Sequence, residues 1–367
     1  MAEPTRLVQL KADYGQSPWL DNLKRGYLTS GELVRLRDAG VRGLTSNPTI
    51  FQKAIQGSAD YDEQFRALAK AGGSIIDDYW AMVTSDIVGA LDVFAPVYQH
   101  SYGEDGFVSV EVAPDLAHDT AGTIAAGREL WRRIDRPNLM VKVPATVEGI
   151  PAIGQLISDG ININVTLIFG LDRYAEVIEA YLSGLEAHDG PVGTINSVAS
   201  FFISRVDTEV DRRLVEIGTS DALALKGRAA VTQGRLAYRQ FREAFAGPRW
   251  QALLVRGARL QRPLWASTST KDPSYPDTLY VDQLIAADTV NTLPEPTLQA
   301  FEDHGHLSFG AIADADGVVP TWKALARVGV DMDEVAAKLE AEGVGSFQKS
   351  FDELLGALGT RATELRG

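Results

Sequence analysis

Asn138-Leu139-Met140-Val141-Lys142-Val143-Pro144 reads as a buried β-strand with a lysine at its centre. Side chains alternate across a strand, so Met140, Lys142 and Pro144 share one face, and Leu139, Val141 and Val143 the other. If the second face packs under helices, the first points at whatever the sheet encloses. An ammonium buried there without a partner is costly. A desolvated lysine shifts toward the free amine, and a free amine condenses with ketones and aldehydes to a Schiff base. The plainer alternative is a buried stem with its head in water.

Outward from this strand, the chain alternates. Strand-like segments occur at 18–21 (ending in Asp21), 41–47, 107–112, 161–169, 192–198 (running on toward Phe202), 264–267 and 287–292. Together with the lysine strand they number eight, and most are followed by a helical pattern. Helical spacing is read at 48–55, 75–94, 119–134, 149–157, 171–185, 203–215 and 223–245. Thr29-Ser30-Gly31-Glu32 has the form of a capping box, and Asn47-Pro48 that of an N-cap followed by the first helical residue. Phe347, Phe351, Leu354, Leu355 and Leu358 mark an amphipathic helix from Ser346 onward. Such alternation predicts parallel strands with crossover helices, and eight units suit an α/β (β/α)8 barrel. The expected architecture is a TIM barrel with additional helices, one of them C-terminal, over 1–367 as a single domain. An open doubly wound sheet is the competing fold, but no glycine-rich phosphate loop follows the first strand.

Composition narrows the function. The chain has 367 residues, is 45% hydrophobic and 23% charged, and carries a formal charge of −14. No lysine/arginine block stands out, so nucleic acid is not an expected partner. A small anionic substrate fits, because a few local cations can hold one phosphate. There is no cysteine, which excludes disulfides, thiolate catalysis and zinc–cysteine sites. Residues 1–6 carry no apolar leader core, and no run of about 18 apolar residues stands out. A cytoplasmic protein without membrane contact is expected.

In a barrel, polar residues at strand ends converge. Here they are Asp21, Asn47, Glu111, Lys142, Asn164, Thr166, Ser200 and Ser267. Asp21 could instead start a turn, and Asn47 could serve only as a helix cap, or as both. Glu111 lies between Val110 and Val112, so it shares the enclosed face with Ser109, where a carboxylate must be used or paired. Asn162, Asn164 and Thr166 form a polar stripe on an otherwise apolar strand, and strands of a parallel α/β fold have no solvated face.

These segments resemble the transaldolases, Schiff-base enzymes of the pentose phosphate pathway. The resemblance runs through most of the chain. It is carried by Leu44-Thr45-Ser46-Asn47-Pro48, Val108-Ser109-Val110-Glu111-Val112, Met140 to Thr146, Ile161 to Phe169, and Ser200-Phe201-Phe202-Ile203-Ser204-Arg205, in that order. The longer bacterial subfamily is most similar. The resemblance implies a class I aldolase barrel that needs neither metal nor other cofactor. It implies transfer of a dihydroxyacetone unit from sedoheptulose 7-phosphate or fructose 6-phosphate to glyceraldehyde 3-phosphate or erythrose 4-phosphate. Lys142 would then form the imine and Asp21 would take the proton from the C4 hydroxyl. Glu111, with Thr166 and a bound water, would shuttle protons. Asn47 and Asn164 would bind the dihydroxyacetone hydroxyls, with Thr45 among the substrate-binding residues. Phe202 would form an apolar wall, and Arg205 and Ser200 would bind phosphate. Shorter family members carry an arginine two residues after the serine matching Ser267. Here that position is Ser269, so Lys271 with the Ser267 and Ser269 hydroxyls is expected to take over.

Two other functions stay open at this level: an aldolase that releases free dihydroxyacetone, like the related fructose-6-phosphate aldolases, and a non-catalytic sugar-phosphate sensor. Glu111 and Phe202 argue against the first, and Lys142, Asp21 and Glu111 together against the second. The expected partners are small sugar phosphates, and a homodimer is allowed for. His304-Gly305-His306 lacks a clear third ligand and reads as a surface loop. Asp314-Ala315-Asp316-Gly317 opens like a calcium loop, but Val318 and Leu325 do not continue the pattern, so a turn is expected.

Overall fold

Eight parallel strands close on themselves in sequence order: β1 (Gln16–Asp21), β2 (Gly43–Thr45), β3 (Val108–Glu111), β4 (Leu139–Pro144), β5 (Ile163–Ile168), β6 (Ser197–Phe202), β7 (Gln261–Ala266) and β8 (Thr289–Leu293). The computed structural model describes residues 4–308 and 316–366. The expected (β/α)8 barrel is therefore observed, and the open sheet is not. Closure makes each strand buried on both sides, which explains the near-continuous apolar runs. Register sets the polar positions side by side. Asp21 pairs with Thr45, Glu111 with Lys142, Lys142 with Asn164, and Pro144 with Thr166.

Several local expectations are corrected. Thr29 ends a short helix, Arg25–Thr29, and Gly31 in the left-handed region (φ +79) occupies the N-cap of Glu32–Asp38. The Ser30 hydroxyl accepts only the nearby Glu32 N–H, so no capping box forms. Residues 192–194 form a 3-10 turn, and β6 starts at Ser197. The long helical pattern of 223–245 is broken into Ser220–Leu223 and Ala229–Ala244. Gly227 (φ +68) turns the chain between them. A further helix spans Pro248–Val255. Asp314 and Ala315 of the calcium-like pattern lie outside the described residues.

Helix Ile75–His100 is long and apolar enough, by composition, to cross a membrane. In this fold it is a wall of the barrel, with Tyr79, Met82, Val83, Ile87 and Leu91 buried. Asp86 is buried within the same helix and accepts hydrogen bonds from Arg25 and Tyr61. The C-terminal helix, Met332–Arg366, is longer than the pattern from Ser346 onward indicated. It lies across the ends of the strands. Lys338 pairs with Glu209, Gly343 packs on Leu167, and Thr49 and Ser350 share a hydrogen bond of 2.8 Å.

The opposite end of the barrel is plugged by charge. Asp105 is buried and pairs with Arg262 at 3.0 Å, while Ser17 donates to its second oxygen at 2.8 Å. The Trp19 indole N–H also donates to Asp105, at 3.3 Å. That ring lies so close to β2 that a side chain at Gly43 would meet it at 2.6 Å. Burial alone would raise the Asp105 carboxyl. Arg262, Lys11 and Ser17 more than offset this and hold it below the usual range.

Arg262→Ala should cost about 3 kcal/mol in urea unfolding, because it strands a buried carboxylate, with Lys11 left as partial partner. A carboxyl lowered in the folded state stabilises above its unfolded pKa and loses that stabilisation as pH falls. The loss in Arg262→Ala should accordingly shrink below the usual carboxylate range. An unchanged unfolding midpoint at neutral pH would contradict this account of the plug.

Candidate active site

Lys142 sits at the middle of β4 with 4% of its surface exposed. Its Nζ lies 3.2 Å from Glu111 Oε2 and donates to the Ser46 carbonyl at 3.2 Å. The head does not reach bulk water, so the plainer reading of the strand fails. Glu111 is brought there by register: it is the β3 residue directly beside Lys142, on the inward face. Burial pushes its carboxyl up, Lys142 opposes this, and Asp21 adds to the rise.

Asp21 ends β1 and opens into the same cavity. Burial raises its carboxyl from the ordinary 3.8, against the pull of Lys142 and of the Thr45 hydrogen bond. Thr45 Oγ1 donates to Asp21 at 2.9 Å and lies 2.7 Å from Thr292 Oγ1. Thr45 is thus engaged in fixing the carboxylate. Asn164 also works from beneath: its amide donates to Ser109 Oγ at 2.9 Å and its oxygen accepts from Ser200 Oγ at 2.7 Å. The inner stripe of β5 is a cross-strand brace at Asn164 and a pocket wall at Thr166. Thr166 Oγ1 is buried without a hydrogen bond among the described residues, and Glu111 Oε2 has only its ion pair with Lys142. Buried oxygens of this kind call for a partner.

The cavity at the strand C-terminal ends has a volume of ≈ 120 Å³. Asn47 borders it while its Oδ1 caps the helix Pro48–Gln56 by accepting from Ile50 N–H at 2.9 Å. Asn47 therefore caps the helix and borders the cavity at once. Phe202, Ser267, Ser269, Lys271 and Arg205 form the mouth. Arg205 makes no ion pair among the described residues, and its guanidinium lies 5.4 Å from the Phe202 ring centroid. Burial lowers its pKa; partial desolvation at the mouth and the nearby Arg205 lower that of Lys271, although its side chain still reaches solvent. Lys271 Nζ donates to Ser269 Oγ at 2.7 Å. Neither cation makes an ion pair among the described residues, so the two add local positive charge at one opening of a chain of charge −14, with Asp21 the carboxylate deeper in the same cavity.

Some lining residues were not anticipated. Thr292 lies near the end of the last strand and Pro294 just after it, and Phe347 comes from the C-terminal helix, with Lys142 Nζ 5.7 Å from its ring centroid. Periodicity identified Phe347 as part of an apolar face. Nothing local in the sequence says what that face covers. A larger cleft of ≈ 540 Å³ opens at the N-terminal ends of the strands, bordered by Phe241, Phe245, Trp250 and Arg262. It holds no comparable set of convergent acid, base and amine. The histidine pair is surface-bound: His304 contacts Asp277 and Asp303.

An amine between two carboxylates, at the C-terminal mouth of a closed parallel barrel, defines the Schiff-base class of carbon–carbon bond enzymes. The family model described as Transaldolase/Fructose-6-phosphate aldolase matches residues 18–358. A transaldolase of Acidothermus cellulolyticus is 52% identical, over 99% of this chain and 98% of its own. Those of Thermobifida fusca and Mycolicibacterium smegmatis are 50% and 48% identical, over 95% and 97% of this chain and 96% and 97% of theirs. The chain belongs to the transaldolase/fructose-6-phosphate aldolase family, and it is an enzyme, a transferase of the transaldolase type.

Carbon-13 NMR of labelled aspartate should find Asp21 titrating above 3.8. Thr45→Val removes a hydrogen bond to the ionised form and should move it higher still. A titration in or below the ordinary range in the parent protein would contradict the electrostatics of the site.

Proposed function

We propose that the enzyme moves a dihydroxyacetone unit between sugar phosphates through a Schiff base on Lys142. The observation that carries this reading is the Lys142 amine, 3.2 Å from Glu111 and shielded from water beneath a mouth that holds Arg205 and Lys271. The donor is sedoheptulose 7-phosphate or fructose 6-phosphate, and the acceptor is glyceraldehyde 3-phosphate or erythrose 4-phosphate.

The amine attacks the donor C2 carbonyl to give a carbinolamine. Glu111, with Thr166 and a water between them, delivers the proton that turns the hydroxyl into a leaving water, and an iminium forms. Asp21 then takes the C4 hydroxyl proton. The C3–C4 bond breaks, its electrons flow into the iminium as an enamine, and the aldose phosphate departs. Proton transfer by a positioned carboxylate typically contributes about 10²–10⁴-fold. A raised Asp21 carboxyl is a better base than an exposed one, and Thr45 keeps its lone pair aimed. The acceptor aldehyde then reverses the cleavage step, and hydrolysis releases the new ketose.

Asn47 and Asn164 hold the dihydroxyacetone hydroxyls in this scheme, Asn164 by exchanging its internal partners or by orienting Ser200. Phe202 and Phe347 form apolar walls that keep water from the enamine. Arg205, with Ser200, Ser267, Ser269 and Lys271, receives the phosphate. The cytoplasm is the compartment we assign, as the place where such intermediates are held.

With fructose 6-phosphate and erythrose 4-phosphate, the enzyme should form sedoheptulose 7-phosphate and glyceraldehyde 3-phosphate. With fructose 6-phosphate alone, free dihydroxyacetone should stay near the detection limit. Its steady release at the transfer rate would make the enzyme a lyase instead. Arg205→Ala should raise KM for the phosphorylated substrates by about tenfold or more, the worth of a charge-assisted hydrogen bond. An unchanged KM would remove Arg205 from the phosphate site.

A further inference from the structure

Helix Ser204–Ile217 begins next to Arg205 and carries a polar row that the chemistry above does not use: Ser204, Asp207 and Asp211. Steps of three and four residues put all three on one helix face. Each holds a different segment. Ser204 N–H donates to the Ser267 carbonyl at 3.0 Å, and its hydroxyl lies 3.0 Å from the Ser267 hydroxyl. Asp207 accepts from Ala230 N–H at 2.8 Å and from the Tyr280 hydroxyl at 2.9 Å. Asp211 accepts from Gly227 N–H at 2.9 Å and from the Tyr275 hydroxyl at 2.6 Å.

Ser267, Tyr275 and Tyr280 bracket the stretch that supplies Ser269 and Lys271. One end is fixed at Ser267, and Thr268 donates to Asn291 at 3.0 Å. The other end is bolted by Tyr275. Between them, Asp272 accepts from both the backbone and the hydroxyl of Ser274, at 2.9 and 2.7 Å, which folds the chain back on itself. Ser269 and Lys271 sit between these anchors, and Lys271 itself is exposed. A solvent-exposed lysine loses much rotamer freedom on binding, so a fixed backbone beneath it matters.

The break between the helices Ser220–Leu223 and Ala229–Ala244 now has a reason. Gly227 donates its N–H to Asp211, and a Cβ there would sit 2.8 Å from the Tyr275 ring. The turn makes a seat for the tyrosine.

We propose that Asp211 and Tyr275 are positioning residues for substrate phosphate recognition: their hydrogen bond ties the loop carrying Ser269 and Lys271 to the helix carrying Arg205, so that both cations face one phosphate at a set spacing. This rests on the reading of Arg205 and Lys271 as phosphate ligands. It gives the mouth, beside Arg205, a second anchored cation from further along the loop.

The test compares Tyr275→Phe and Asp211→Ala with Lys271→Met, alone and combined. Erythrose 4-phosphate serves as the phosphorylated acceptor and erythrose as the unphosphorylated one. Tyr275→Phe loses one hydrogen bond to a carboxylate, so KM for erythrose 4-phosphate should rise by up to about tenfold. kcat, and kcat/KM for erythrose, should stay within about twofold, a split that loss of one charge-assisted contact to the phosphate alone requires. In the Lys271→Met background, Tyr275→Phe should add nothing. A raised KM in Lys271→Met beside a parental Tyr275→Phe would overturn the clamp and leave the phosphate reading standing. An unchanged KM in Lys271→Met would overturn both. Equal losses for both acceptors with a lowered Tm would make Tyr275 a stability residue only, which also overturns the proposal.

Discussion

The structure depends on holding one ammonium out of water. Lys142 could not sit in the middle of a buried strand unless charge and hydrogen-bond acceptors met it there. Glu111 and the Ser46 carbonyl do so at contact distance, and Asp21 contributes at longer range. The dependence is mutual. Burial raises both carboxyls, and Lys142 is the largest influence that pulls each back. The two carboxyls are therefore held above their ordinary range beside the amine, ready to take up and return protons. That is what a reaction requires which adds, removes and returns a proton in each half-turn.

Barrel closure is the means of this arrangement. Adjacent strands in parallel register place Glu111, Lys142 and Asn164 side by side, and the inner face of each strand has nowhere to go but the axis. The end of the barrel away from the chemistry is sealed by Asp105 and Arg262. The working end is covered by the C-terminal helix, which brings Phe347 over the lysine. Two cations at that mouth stand against a chain of charge −14, so the field that draws an anion in is local rather than global.

Much of this was legible in the sequence because strand alternation and register are short-range rules. The polar stripe of Asn164 and Thr166, the acid between two valines at Glu111, and the lysine strand each follow from period two. What was missed depends on distant parts of the chain. Phe347 is separated from Lys142 by two hundred residues of barrel, and its periodicity fixed only that it is buried. The capping-box reading of residues 29–32 failed because a glycine in the left-handed region set the helix start. The helix break at Gly227 was invisible because its cause is a tyrosine about fifty residues away. Asn164 and Thr45 were foreseen as site residues, but alternation could not say that their polar atoms would be engaged with Ser109, Ser200, Asp21 and Thr292.

The most direct measurement is chemical trapping of the buried amine. The enzyme is incubated with fructose 6-phosphate and sodium borohydride, digested, and sequenced by mass spectrometry. A reduced adduct is expected on Lys142 alone, absent from a folded Lys142→Met variant. An adduct on another lysine, or labelling that survives Lys142→Met, would contradict it.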